Sequence, residues 1–358
     1  MSWSAVRTVA VLELRQRVRS TRWRVMLVVW GIVLVLLCGG MASLASMSGD
    51  SVDRVVPSLY DTALCFVLGI GLIVAPTLSA TSINGDRADA TLALLQATTL
   101  RSQEIVVGKL VAAWSAALAF LAVALPFLVV LTLAGGASWT ALLGHMLILV
   151  VSLGAVCAIG LGFSAATART SASAVLTYLA VAALVIGTPL ATAISATAVQ
   201  GEQTQIIYTT DYDASTNDRR VCKPEPRTYT EDIVHSEWIW WMLVPNPFVA
   251  LADVSARAPA PSAYLYDYSS AAQLEMMGAA VDDMRDSQPA EIVENYCDED
   301  SEGPLISEDD SYEPDIAHLV FWPVSLIVVL GLGAWSLTSA SRRLRTPVRR
   351  LARGTRVA

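Results

Sequence analysis

Six long apolar runs, each nearly free of charge, constrain this chain more than any other feature. They cover Val25–Met47, Ser58–Ala80, Leu110–Ala134, Ala137–Ser164, Ala172–Ala198 and Ala317–Ala340. A bilayer core about 30 Å thick needs roughly 20 apolar residues per helix. Lipid offers no hydrogen bonds, so each span must satisfy its own backbone, and a helix does that. The short alternating segments of a membrane β-barrel are absent. Charged residues make up 16% of the chain, against about a quarter in soluble domains. The expected fold is therefore an all-α membrane protein with six transmembrane helices. The first run is longer than a signal-peptide core and follows a long basic segment, so it reads as an uncleaved span.

The charges orient these spans. Arg7, Arg15, Arg17, Arg19, Arg22 and Arg24 precede the first run against the single acid Glu13, and Arg342, Arg343, Arg345, Arg349, Arg350, Arg353 and Arg356 follow the last. The positive-inside rule places both ends in the cytoplasm, which an even number of spans satisfies. The net charge is −8, yet it is very unevenly spread. Most of the acids fall in residues 199–316, which reads as a large extracellular insertion between helices 5 and 6. Such a segment suits either a cap that gates substrate or a plain solvated outer domain. The basic ends suit topogenic charge or contact with anionic headgroups of membrane lipids. Only Lys109 and Lys223 are lysines among many arginines, alanines and valines. That composition suggests a GC-rich bacterial source and hence the bacterial cytoplasmic (inner) membrane.

The domain organisation follows. Residues 1–24 form a cytoplasmic basic segment, in which Val6, Ala10, Leu14 and Val18 recur at every fourth residue, as in a helix lying in the membrane interface. Residues 25–198 carry helices 1–5 with a cytoplasmic loop at 81–109, residues 199–316 the acidic extracellular domain, 317–340 helix 6, and 341–358 a basic cytoplasmic tail. Within the outer segment, Thr204–Asp213 reads as a strand and Ser269–Arg285 as a helix with Leu274, Met277 and Val281 on one side. Trp238–Asp253 is Trp-rich and interrupted by Pro245 and Pro247, which suits an interfacial or re-entrant helix. Pro76, Pro126, Pro189 and Pro323 are candidate kinks. Gly154, Ala158 and Gly162 form a small-residue face for helix packing.

Catalytic chemistry has no visible seat. His145, His235 and His318 share no ligand spacing, so no metal site is expected. Asp282-Asp283 is an acidic pair in an acidic segment, and Asp61, near the outer end of the second span, reads as an interfacial acid. No Gly-x-x-x-x-Gly-Lys-Ser/Thr phosphate loop is present.

The informative stretch is the cytoplasmic loop, Asn84–Trp114 (NGDRADATLALLQATTLRSQEIVVGKLVAAW). Leu92, Leu95 and Thr99 fall at helical spacing behind Asp86, Arg87 and Asp89, whose acids complement a helix N-terminus. In order and spacing, Asp86-Arg87, Thr91-Leu92, Leu94-Leu95, Thr98, Leu100, Glu104-Ile105 and Gly108-Lys109 resemble the loop of the permease subunit of type-2 ATP-binding-cassette (ABC) exporters. The chain departs from that pattern at Ala90, Ala93 and Thr99. The six spans and the large outer segment extend the resemblance to nearly the whole chain.

The resemblance implies a coupling helix docked on a separate ABC ATPase subunit, with Asp86, Arg87, Thr91, Leu92, Leu95, Thr98, Glu104 and Lys109 as the coupling residues. It implies a second permease as partner, in a homodimer or a heterodimer. ATP and Mg are expected on the ATPase, with no cofactor in this chain and no nucleic acid partner. From the residues alone, Lys109 and Glu104 are equally suited to anchoring at the interface. A rival reading is a non-transporting signalling or scaffold subunit that couples to the same ATPase.

Cys222 and Cys297 are the two cysteines of the outer segment, and an oxidising exterior would allow them to pair. Reduction and alkylation of the intact protein is expected to change its migration and its mass. Unchanged values would reject the pairing.

Overall fold

The computed structural model describes residues 2–48, 52–88, 100–211, 222–223, 225–258, 272–295 and 318–344. Helix α1 (Trp3–Arg19) ends at Ser20, whose extended backbone separates it from α2 (Thr21–Ser48). Then come α3 (Val52–Ser79), the short α4 (Ser82–Ala88), α5 (Ser102–Leu133) and α6 (Trp139–Ala166). Next is α7 (Thr170–Ala182), which passes through a π-helical turn (Ala183–Gly187) into α8 (Thr188–Ala196). Beyond these lie β1 (Gln200–Tyr208), β2 (Arg227–Val234), α9 (Pro247–Arg257), α10 (Gln273–Asp283), β3 (Glu291–Asn295) and α11 (Trp322–Arg343).

Six helical stretches are long and apolar enough to cross a membrane: Trp23–Leu44, Val55–Ala88, Ser102–Leu133, Trp139–Ala166, Thr170–Ala196 and Trp322–Arg343. They match the six apolar runs. The most apolar window of α6 is 67% buried, against 11% in the first and fifth spans. Helix α6 is thus the central post, and α2 and α7–α8 line the periphery. The main core joins Leu64 and Leu68 of α3, Leu128 of α5 and Ile148 and Leu149 of α6, all fully buried.

Small residues let the post be surrounded. A Cβ on Gly162 would overlap the hydroxyl of Ser336 on α11, and one on Gly160 would overlap that of Ser79 on α3. Gly154 faces the indole of Trp114, whose Nε1 donates to the carbonyl of Val150 at 2.9 Å. The Gly154/Ala158/Gly162 face therefore serves packing within the chain.

Prolines act in different ways along the spans. Pro76 and Pro126 lie inside α3 and α5. Pro323 starts α11 rather than kinking it, because the first turn of a helix needs no N–H donor there. Pro189 lacks the N–H that would serve the carbonyl of Val185, and the π turn immediately precedes it. Asn246 fills that gap from outside the span. Its Nδ2 donates to Val185 O at 3.1 Å and to Thr188 Oγ1 at 3.0 Å.

The chain termini described here, with α1, α4 and the last turn of α11, gather at one end of the bundle. At the opposite end sits a three-stranded sheet in the order β2-β1-β3, with β1 antiparallel to β2 and parallel to β3. The strand expected at Thr204–Asp213 corresponds to β1, which starts earlier; β2 and β3 carry no clear alternation in sequence. Trp238–Asp253 splits into two 3-10 turns, Ser236–Trp238 and Trp240–Leu243, followed by α9. Trp238 and Trp241 are exposed, whereas Ala250, Leu251 and Ala252 belong to the main core. Within the described part of the segment beyond the fifth span, α9 and α10 are thus packed into the bundle.

Buried carboxylates fasten this end. Asp253 Oδ2 accepts from the backbone N–H of Phe321 and Trp322, each at 3.0 Å. These are groups that the start of α11 leaves unpaired. Arg257 bridges Asp253 at 2.8 Å and Asp282 at 3.2 Å, and Arg285 adds a contact to Asp282 at 3.3 Å. Asp282 is therefore tied to arginines, and among the described residues no group of three metal-ligating side chains occurs. Cys222 is disulfide-bonded and Cys38, Cys65 and Cys157 are free thiols. Cys297 lies outside the described residues.

The α6–α11 contact gives a test. Gly162→Ala is expected to destabilise the solubilised protein by about 1–3 kcal/mol through overpacking, and adding Ser336→Gly should recover most of that loss. Thermal unfolding of the single and double variants measures both.

Candidate functional site at the terminus-bearing end

The second-to-third-span connection begins at α4. A seven-residue helix cannot sustain itself, and this one is held by α6. Ser164 Oγ accepts from the N–H groups of Ile83 and Asn84 at 3.0 and 3.1 Å, which caps the start of α4 from another helix. Asn84 Nδ2 donates to Thr167 Oγ1 at 3.0 Å, and Arg87 Nη1 donates to the Thr167 carbonyl at 3.3 Å. Ser173 Oγ donates to the carbonyl of Ala80 at 2.5 Å. The turn between α6 and α7 thus fixes where the chain leaves α3.

Helix α1 completes the site. Val6, Val9 and Ala10 are buried against the start of α5, so the apolar stripe includes Val9, while Val18 is exposed. The approach is close: a Cβ on Gly108 would meet Val9 Cβ at 2.7 Å and the carbonyl of Val6 at 3.1 Å. Only glycine permits this contact without displacement. Arg17 Nη2 donates to Leu78 O at 2.8 Å, placing a cation at the carbonyl-rich end of α3. Burial draws the Arg17 guanidinium below its ordinary range, and Glu13 one turn earlier opposes that shift.

At the centre lies Lys109, whose side chain is fully buried. Its Nζ stands 2.5 Å from Glu13 Oε1 of α1 and 2.6 Å from Asp86 Oδ2 of α4. It also donates to the carbonyl of Ser82 at 3.2 Å. One ammonium therefore joins α1, α4 and α5. Two hydrogen bonds and a second carboxylate in ion-pair contact surround the ammonium, as a buried charge requires. Glu104 adds a second tie. Its Oε1 accepts from the backbone N–H of Ser2 at 2.6 Å and its Oε2 from that of Arg101 at 3.0 Å. The latter caps α5, and the former pins the start of α1.

The structure thus brings together Asp86, Arg87, Glu104 and Lys109 of the expected coupling residues. Thr91, Leu92, Leu95 and Thr98 lie outside the described residues. Glu104 and Lys109 are buried and turned toward the chain's own elements, so neither snorkels to an interface. Sequence reasoning missed Glu13, Ser164 and the role of Gly108. Glu13 did leave a signal, as the one acid in a basic segment.

The surface of this end is cationic. Arg7, Arg15, Arg19 and Arg24 of the first two helices are exposed, as are Arg101, Arg169, Arg342 and Arg343. With Glu13 and Asp86 paired to Lys109, these arginines dominate its outward charge among the described residues.

The triad can be tested by charge removal. Glu13→Gln with Asp86→Asn leaves the Lys109 ammonium buried without a counter-charge, which is expected to destabilise this end by about 3–5 kcal/mol. Each single change should cost well under half of that. Hydrogen exchange of α1 in the purified protein, read against α6 as an internal standard, gives the comparison.

No curated protein matches the chain. The family whose description reads "ABC-2 family transporter protein" matches residues 7–341, a range that takes in the first five spans, nearly all of the sixth, and Glu13, Asp86, Glu104 and Lys109. The chain belongs to the ABC-2 family of transporter proteins.

Proposed function

We propose that the chain is the permease subunit of an ABC exporter and that a separate ATPase subunit docks at the terminus-bearing end, between α4 and the start of α5. The observation that carries this reading is the Lys109 triad. It binds the α3–α5 connection, the interfacial helix α1 and the third span into one block, so that a push on the connection moves them together. Glu104 and Lys109 act in this reading as positioning residues. Asp86 and Arg87 hold the last turn of α4 against α5 and the α6–α7 turn.

Orientation follows from charge. The exposed arginines support a cytoplasmic position for the terminus-bearing end under the positive-inside rule, with α1 resting at the headgroup level. The acidic segment then lies outside, and a disulfide at Cys222 suits an oxidising exterior. Multi-pass insertion in the bacterial inner membrane, ATP and Mg on the partner and a second permease copy or homologue complete the assembly. The lipid-facing fifth span and the cleft of about 380 Å³ between α6, α7 and α11, lined by Gly162, Ala183, Leu184 and Trp335, offer apolar surface to lipid or to that second permease.

A cysteine at the exposed Ala88 is expected to cross-link to a co-expressed ABC ATPase, and one at Glu231 of the outer sheet is not. Substrate-stimulated ATP turnover in proteoliposomes then separates a transporter from a scaffold subunit. Labelling of the Ala88 cysteine by an impermeant reagent from the same side as the Glu231 cysteine would overturn the docking surface.

A further inference from the structure

A second buried polar cluster lies at the opposite end, under α10. The residue before that helix, Ala272, offers no side-chain cap. The cap comes instead from α3: Asp61 Oδ2, on a residue only 3% exposed, accepts from the N–H of Leu274 at 2.7 Å. The next residue, Glu275, is 2% exposed, and its Oε2 has no hydrogen-bond partner. Both carboxyls line a cavity of about 10 Å³, together with Tyr60, His145, Ser255 and Ala137. A buried, unpaired carboxylate carries a large desolvation penalty.

The neighbours offer no relief. The Tyr60 hydroxyl is engaged with His145 Nδ1 at 3.0 Å. His145 Nε2 lies 3.2 Å from the carbonyl of Leu251 and 3.1 Å from Ser255 Oγ. Among the described residues, Asp61 and Tyr60 of α3 and His145 of α6 are the titratable groups that line the cavity with Glu275, and α9 contributes the neutral Ser255. Asp253 and Arg257 of α9 are held in the clamp with Asp282 and the start of α11. On α10 itself, Asp283 is exposed. No lysine or arginine lines the cavity among the described residues. A space this small holds about one water-sized guest, which excludes a hydrated metal ion.

We propose that Glu275 docks as the neutral acid, so that the space beneath α10 is a proton-binding site and loss of that proton loosens α10 from the bundle. The proposal rests on the fold and stands apart from the exporter reading. Burial, aided by the charge of Asp61, raises the Glu275 carboxyl from 4.5 to about 7. A carboxyl raised on folding contributes stability that is complete below its unfolded value and is lost as pH rises through the folded one. Docking of α10 is therefore firm near pH 4.5 and weakens toward and beyond about pH 7. The Asp61–Leu274 bond is the hinge that remains, since a carboxylate at a helix N-terminus is favourable.

The test is hydrogen exchange of residues 273–283 in the full chain in nanodiscs, corrected for intrinsic exchange. Between about pH 5.5 and about pH 8.5, wild-type protection is expected to fall at least ~10-fold. Glu275→Gln, which stays neutral, should keep its low-pH protection throughout. Asp61→Asn keeps the acceptor oxygen and removes the charge, so the midpoint of the fall should move to lower pH. Constant protection in the wild type, or an equal fall in Glu275→Gln, overturns the proposal. If Glu275→Gln fails to fold, an unmoved midpoint in Asp61→Asn does the same.

Discussion

The organisation of the terminus-bearing end depends on one ammonium group taken out of water. Lys109 is one of only two lysines in the chain, and its side chain is fully buried at the head of the third span. A buried charge is tolerated only when its partners are in place. Those partners come from α1 and α4, and a third acceptor from the backbone at Ser82. The ammonium is therefore satisfied in a single arrangement of three helices. A buried ion pair is weak evidence for stability but can select one geometry over others. The contact of Val9 with Gly108, adjacent to Lys109, supplies the close packing that goes with it.

The two ends of the bundle solve one problem in similar ways. At both ends a polar side chain from a different element caps the start of a helix. Ser164 of α6 caps α4, Asp61 of α3 caps α10, and Asp253 of α9 caps α11. Asn246 serves the carbonyl that Pro189 leaves unpaired in the fifth span. Each device links local backbone chemistry to tertiary packing, so the short elements exist only in the context of the long ones. Helices α3 and α6 carry such ties at both ends. They give the membrane bundle a rigid frame around which peripheral α2 and α7–α8 are less constrained.

Membership of the ABC-2 family makes the chain a membrane component of an ABC transporter, a class that works with an ABC ATPase. Under the proposed function the terminus-bearing end is the docking surface. Its exposed side is rich in arginine among the described residues, and the half-buried Glu13 and Asp86 are paired with Lys109. The opposite end differs in kind. There Asp61, Asp253 and Asp282 are buried and tie elements together, while acids such as Glu231 and Asp232 are exposed, and α9 shares the hydrophobic core of the spans.

Composition and the length of the apolar runs determined a great deal alone. The count of spans, their approximate limits and the position of the connection between the second and third follow from the need of each helix to bury about 20 apolar residues in lipid, a local property of contiguous sequence. The helix Gln273–Asp283 was legible within Ser269–Arg285 because apolar residues fall on one side of it, whereas the strand read at Thr204–Asp213 shares only residues 204–208 with Gln200–Tyr208. The partners of Lys109, Asp61 and Asp253 were not legible, because each pair is separated by many residues and no periodicity relates them. Nor was the inward turn of Glu104 and Lys109, since a charge near a helix end suits an interface equally well until the packing of α1 closes over it. Only the tertiary structure decided these, because pairing of buried polar groups is set by which elements meet in space, and hydrophobic length alone leaves that open.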